Sequence, residues 1–145
     1  MKDVLKRKLK KGNLIYVVDY REIYESEEAY VTHAYIFEVD EESETLGAVL
    51  YGKTYQIYSF EDYGRLFFDT PEEAAKAANS IPKPGAIVVQ ITKKKVYKKV
   101  VIAIYGRYTD GVYDLVICLN RGKAVSTKEL GKTLFLNELD AKNKK

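Results

Sequence analysis

One pattern of residues occurs twice in this chain, in degenerate form, and it limits the fold more than any other feature. Lys10-Lys11-Gly12 precedes the apolar run Leu14-Ile15-Tyr16-Val17-Val18, and Lys83-Pro84-Gly85 precedes Ile87-Val88-Val89-Gln90-Ile91. The ends match as well. Ser59-Phe60-Glu61-Asp62-Tyr63-Gly64-Arg65 leads into Leu66-Phe67-Phe68, and Ser126-Thr127-Lys128-Glu129-Leu130-Gly131-Lys132 leads into Thr133-Leu134-Phe135-Leu136. Acids and an alanine follow both, as Glu72-Glu73-Ala74 and Glu138-Leu139-Asp140-Ala141. Two separated matches in the same order argue for tandem units of one design. Gly12 to Gly64 is 52 positions and Gly85 to Gly131 is 46, so the first unit is longer by six. The polar stretch Asp40-Glu41-Glu42-Ser43-Glu44 is where that excess is expected, as a solvated hairpin loop.

Strand signals fill both units. Leu14–Tyr20, Tyr30–Val39, Leu46–Tyr51, Thr54–Phe60, Val96–Tyr105 and Val112–Leu119 are rich in β-branched and aromatic residues. Gly52-Lys53, Asp110-Gly111 and Asn120-Arg121-Gly122-Lys123 mark turns between them. One helix stands out. Thr70 and Glu73 form a capping box, Pro71 takes the first helical position, and Asn79-Ser80 with the following prolines end it. Four or five short strands in about 55 residues suit a small barrel of SH3-like type, marginal alone and helped by packing on its twin. The expected architecture is mainly β: a basic N-terminal arm over 1–11, a first barrel unit over 12–80 ending in the helix, and a second barrel unit over 83–145.

The chain's 145 residues contain one histidine, His33, and one cysteine, Cys118. A single cysteine excludes an internal disulfide framework. No apolar run reaches the roughly 18 residues of a membrane span, and the first residues carry no signal-like apolar segment. A cytoplasmic protein is expected. Net charge is only +3, but it is unevenly spread. Residues 1–11 carry six basic side chains and one acid, residues 12–80 four and fifteen, and residues 81–145 fourteen and five. An acidic first unit beside a basic second one is the main electrostatic feature.

The ending Gly131-Lys132-Thr133-Leu134-Phe135-Leu136-Asn137, followed by Asp140-Ala141, resembles that of small proteins of gut anaerobic bacteria and their phages and mobile elements. Those proteins open on Lys-Pro-Gly and a Val-rich strand, and close on Gly-Lys-Thr-Val-Phe-Leu-Thr and then Glu-Glu-Ala. Gly64-Arg65-Leu66-Phe67-Phe68-Asp69-Thr70-Pro71-Glu72-Glu73-Ala74 is similar, with Arg for Lys and Asp69 where Leu is usual. The likeness covers the ends of each unit, about a third of the chain. It implies an SH3-like unit and a phage or mobile-element origin, and says little of activity.

No residue pattern points to catalysis, and we expect no enzyme, no cofactor and no metal site. Any Ser-His-Asp or Cys-His mechanism would have to use His33, and Cys118 sits in the apolar run Val116–Leu119, where a thiol is a small core residue. Asp40–Glu44 lacks the spacing and glycine of a calcium loop, and Gly106 and Gly111 are turn glycines rather than a phosphate cradle.

Two surfaces are better candidates. Nine of the thirteen tyrosines lie in the first unit, too many for a small core. Exposed tyrosines favour protein interfaces, and surrounding acids would attract a basic partner. Tyr24, Tyr30, Glu41, Glu42, Glu44, Tyr51 and Tyr55 are the expected partner-binding residues. The preferred reading is a non-enzymatic protein-interaction module, in one version a phage or mobile-element inhibitor of a host or defence complex. The alternative is nucleic-acid binding through Lys93, Lys94, Lys95, Tyr97, Lys98 and Lys99. Strand alternation would put Lys93, Lys95, Tyr97 and Lys99 on one face, with lysines on phosphates and the ring on a base. Such lysines equally protect a strand edge from pairing. Lys2, Lys6, Arg7, Lys8, Lys10 and Lys11 form a second basic arm. A third reading docks acidic unit on basic unit, within the chain or between copies.

Overall fold

The computed structural model describes residues 9–23 and 26–144. The basic positions Lys2, Lys6, Arg7 and Lys8, and the candidate Tyr24, lie outside the described residues. Ten strands and two helices run in the order β1 (Leu14–Ile23), β2 (Ser26–Asp40), β3 (Thr45–Leu50), β4 (Thr54–Ser59), β5 (Phe67–Phe68), α1 (Pro71–Asn79), β6 (Ile87–Thr92), β7 (Lys95–Thr109), β8 (Val112–Leu119), β9 (Val125–Ser126), β10 (Leu134–Phe135) and α2 (Glu138–Lys144).

Two five-stranded antiparallel sheets result. Their orders, β4-β3-β2-β1-β5 and β9-β8-β7-β6-β10, are the same when each unit is numbered from its own start. The long central strand is bulged once in each, between Ile36 and Glu38 and between Val101 and Ala103. Both sheets are open. The expectation of small barrels is therefore met only as mainly β structure with five strands per sheet; neither sheet closes on itself.

The entry turns also correspond. Asn13 N–H donates to Lys10 O at 3.0 Å and Gly12 N–H to Ile36 O at 2.7 Å; Ala86 to Lys83 at 3.0 Å and Gly85 to Val101 at 2.7 Å repeat them. Gly12 and Gly85 hold φ of 91° and 93°, a left-handed conformation that favours glycine. Leu9 is buried, so the chain joins the first sheet's core before position 12, where the sequence placed the end of a free arm.

The difference in length does not lie in the acidic loop. Leu14 pairs with Tyr35 across 21 positions, whereas Ile87 pairs with Val100 across 13, so the β1–β2 hairpin is the longer one. The next hairpin reverses this: Ile36 pairs with Ala48 across 12 positions and Val101 with Leu119 across 18. The acidic segment is compact because Asp40 Oδ1 accepts the N–H groups of Glu42 (3.0 Å) and Ser43 (3.2 Å), folding it into a four-residue turn.

Helix α1 forms as expected. Thr70 Oγ1 accepts Glu73 N–H at 3.3 Å, and Ser80 Oγ donates to Lys76 O at 2.8 Å near its end. Its Ala74 and Ala78 are buried against β1, β2 and β5. The second helix, α2, was not expected. Asn137 caps it by accepting Asp140 N–H at 2.8 Å, the counterpart of the Thr70–Glu73 pair, and its Ala141 packs on Val89 and Phe135.

The two sheets pack against each other, β1 and β2 on β7 and β4 on β8, around an apolar core to which both contribute. Inward residues of both sheets, among them Val17, Ile36, Leu50, Ile104, Leu115 and Ile117, are almost wholly removed from water. Burial of that apolar area, at roughly 25 cal/mol per Å², drives the pairing of the sheets.

Candidate partner-binding surface

Where the sheets meet, polar groups are buried with the core. Tyr113 on β8 donates its hydroxyl to Asp19 on β1, and Tyr58 donates to Gln56. The Tyr58 and Tyr113 rings meet edge to face at 5.5 Å. Burial pushes the Asp19 carboxyl above its ordinary value; hydrogen bonds from Tyr113, the Tyr20 backbone and Gln56 offset only part of that. Burial likewise raises the Tyr58 and Tyr113 hydroxyls, so both stay protonated donors. Arg65 is the second clasp. Its Nη2 lies 2.8 Å from Asp62 Oδ1 and its Nη1 2.9 Å from Asp114 Oδ1, and Nη1 also donates to Thr127 Oγ1 at 2.6 Å. One guanidinium thus ties the end of the first unit to two elements of the second. These tyrosines and acids hold the sheets together.

The face of the first sheet turned away from the core carries a different set. The register places Leu14 beside Tyr35, Tyr35 beside Val49, and Val49 beside Tyr55, a row across four strands. Tyr35 is 53% exposed and Phe37, the bulge residue next along β2, 55%. Tyr55 meets Phe37 edge to face at 6.1 Å and donates its hydroxyl to Glu38, which pushes the phenol up to about 12. His33 extends the row, edge-on to Tyr35 at 6.2 Å. The Lys11 ammonium stands 5.7 Å from the Phe37 ring centre. A depression of about 580 Å³ lies beside it, bounded by Leu9, Lys10, Lys11, Phe37, Val39 and Glu41.

The expected partner-binding residues do not form one cluster. Tyr55 and Glu41 lie by the Phe37 patch, with Glu42 and Glu44 on the same turn. Tyr30 and Tyr51 stack on each other at 6.4 Å, with the Arg21 guanidinium 4.6 Å over Tyr30; Tyr30 pairs with Asp19 and by alternation shares the face of Ala34 and Ile36, opposite to that of Tyr35. Tyr30 and Asp40 are ten positions apart on β2, roughly 30 Å at about 3.3 Å per residue. Sequence reasoning passed over Tyr35 and Phe37. Their signal was the alternation His33-Ala34-Tyr35-Ile36-Phe37, which sets aromatic residues opposite the buried Ala34 and Ile36.

The lysine cluster is also divided. Lys93 and Lys94 form the β6–β7 turn, both with φ in the left-handed region (50° and 66°), and β7 begins only at Lys95. Lys93 is therefore not part of the expected face. A two-residue reversal between Thr92 and Lys95, which are paired, interrupts the alternation there. Lys95, Tyr97 and Lys99 do share a face by strand alternation, with the Lys99 ammonium 5.9 Å from the Tyr97 ring centre. Lys98 points the other way and pairs with Glu138 at 2.7 Å. Cys118 is partly buried, its thiol 3.9 Å from Leu119 O.

Among the described residues no group of three or more His, Cys, Asp or Glu side chains is placed to hold a metal ion, and no helix is long and apolar enough to cross a membrane. No known protein family, curated protein or solved structure matches this chain.

Proposed function

We propose that this chain is a non-enzymatic protein-interaction module that docks a basic partner on the outer face of its first sheet. The observation that carries this is the pair Tyr35 and Phe37, adjacent on β2 and each more than half exposed, beside the acidic Asp40–Glu44 turn. Aromatic side chains left in water beside like charges are the composition of a binding hot spot with a charged rim. The matched element order of the two sheets supports descent by tandem duplication of one unit, and the resemblance of the unit ends supports a phage or mobile-element origin, for which an inhibitor of a host complex is one version of this module.

The test is a tagged pull-down from host lysate with and without nuclease, run beside a Tyr35→Ala/Phe37→Ala variant and a Glu41→Lys/Glu42→Lys variant. A stoichiometric protein band that survives nuclease and is lost in the first variant is the expected result. The second variant should slow association most at low salt. Retention of the band in both variants removes the docking face.

The Tyr97–Lys99 contact favours a second reading, nucleic-acid binding along β7. On that reading, material is recovered only without nuclease, binding falls steeply with salt, and Lys95→Glu/Lys99→Glu abolishes it.

A further inference from the structure

The turns that end the two units have the same backbone and different fillings. Gly64 N–H donates to Phe67 O at 2.9 Å and Arg65 N–H to Asp62 O at 3.0 Å; Gly131 to Leu134 at 2.8 Å and Lys132 to Glu129 at 2.9 Å repeat them 67 positions later. A parallel bridge joins Tyr63 to Phe67 and, at the same offset, Leu130 to Leu134. Position by position, Tyr63 corresponds to Leu130, Phe67 to Leu134, Phe68 to Phe135 and Asp69 to Leu136.

In the first turn the space among these residues holds a phenol. The Tyr63 ring lies 5.6 Å from that of Phe67, and its hydroxyl donates to Asp69. In the second turn Leu130 is shorter and Leu136 offers no acceptor. A cavity of about 460 Å³ opens there, walled by Leu130, Gly131, Leu134, Phe135 and Leu136, with Ser80 from the end of α1, Asp140 and Asn143 as polar groups. Its volume lies in the range of small-ligand sites, roughly 300–1,000 Å³. Leu136 is half exposed at its mouth.

We propose that this cavity binds the tyrosine side chain of a polypeptide partner, in the place that Tyr63 fills within the first unit. The apolar wall takes the ring, and the Asp140 carboxylate, whose Oδ2 accepts Asn137 Nδ2–H at 3.1 Å, offers its other oxygen to a phenol hydroxyl, the part that Asp69 plays in the first turn. The site lies where the turn and helix that end the second unit meet Ser80 at the end of α1, and it does not depend on the outer face of the first sheet.

The full chain, methyl-labelled at leucine, is titrated with N-acetyl-tyrosinamide and with N-acetyl-leucinamide. Tyrosinamide should shift the Leu130, Leu134 and Leu136 methyl signals saturably, and leucinamide should bind about tenfold more weakly, as loss of an aromatic contact implies. The variant Leu130→Tyr/Leu136→Asp rebuilds the filling of the first turn. It should melt no lower than the parent and lose the tyrosinamide shifts. Absence of saturable shifts at these three residues, equal binding of the two amides, or binding that persists in the folded variant overturns the proposal. The comparison of the two amides on the unaltered chain decides the matter even if the variant fails to fold.

Discussion

The seam between the sheets and the outer face of the first sheet draw on the same residue types and use them in opposite ways. At the seam, Tyr58 and Tyr113 are buried, spend their hydroxyls on Gln56 and Asp19, and pack ring to ring. On the outer face, Tyr35, Phe37 and Tyr55 are exposed, with Phe37 against Tyr55 and His33 against Tyr35. Both regions even contain a tyrosine set over a glycine: Tyr113 over Gly106 at the seam and Tyr55 over Gly47 outside. The difference teaches that an excess of tyrosine in a small β unit is not one feature. Part of it replaces apolar core where a polar group is at hand to take the hydroxyl, and part of it stays on the surface.

Arg65 gives the largest break between the two regions. Its removal would leave Asp62 and Asp114, with side chains 3% and 10% exposed, without their shared cation. Arg65→Ala should cost roughly 3–5 kcal/mol in a denaturant titration, because an uncompensated buried charge is worse than no pair at all. Arg65→Lys should recover only part of this, since one ammonium cannot reproduce the forked contact. The counterpart Lys132 is exposed, and Lys132→Ala should change stability by less than about 0.5 kcal/mol. Equal costs at the two positions would mean that the seam is not what Arg65 holds.

The two glycines come next. A Cβ at Gly106 would fall well inside contact distance of the Tyr113 ring, which is buried and has no room to move. Gly106→Ala should therefore cost about 1–3 kcal/mol, as overpacking does. The same change at Gly47 meets the far end of Tyr55, which is 40% exposed and can swing away. Gly47→Ala should leave stability within about 1 kcal/mol of the parent. Its mark should instead be on Tyr55: released from Glu38, the phenol should fall from about 12 toward 10, read by carbon-13 NMR of labelled tyrosine.

Asp19 sharpens the comparison through pH. Burial raises its carboxyl, so the folded chain holds that proton more tightly than the unfolded chain does. Stability from this group is complete below the unfolded value, near 3.8, and is lost as pH rises through the raised folded value. Asp19→Asn keeps an acceptor for Tyr113 and cannot ionise. The stability of the parent minus that of the variant should therefore fall as pH climbs through this window and then level off. A difference that rises with pH would show that the hydrogen bonds outweigh burial.

The parts of this structure legible in the sequence are those with local causes. Asp110-Gly111 makes the β7–β8 turn, with φ of 54° and 83°, because these residues tolerate that conformation. Thr70-Pro71-Glu72-Glu73 starts α1 for reasons contained in four side chains. What was not legible depends on contacts between distant positions. Nothing near Arg65 shows that it will meet Asp114 and Thr127, and nothing near Tyr113 shows that it will reach Asp19. The acidic run drew attention as the natural insertion, yet the β1–β2 hairpin is the longer one, and its strands pack on β7 and α1, positions far away in the sequence. The candidate surface was half legible: Tyr55 and Glu41 came from composition, while Tyr35 and Phe37 were passed over although the alternation His33-Ala34-Tyr35-Ile36-Phe37 carried their signal.

Tyr51 carries the smallest expected effect. The β3–β4 turn is centred on Tyr51-Gly52, one position earlier than Gly52-Lys53, with Lys53 N–H donating to Leu50 O at 3.0 Å. Tyr51 sits at φ 58°, a conformation that costs an ordinary L residue about 1–2 kcal/mol and suits asparagine in this type of turn. It is half exposed, and the contact it gains is the stack on Tyr30, itself covered by Arg21. Tyr51→Asn should therefore raise stability by up to about 1 kcal/mol, the relief of the turn less the lost ring contact. If the variant is more stable but binds the partner less well, the strain is kept for the interface, and docking involves the Asp19–Tyr30 side of the first sheet as well as its Phe37 face. If it is more stable and binds equally, docking is confined to the Phe37 end, and the Tyr30–Tyr51 stack belongs with the structural tyrosines of the seam.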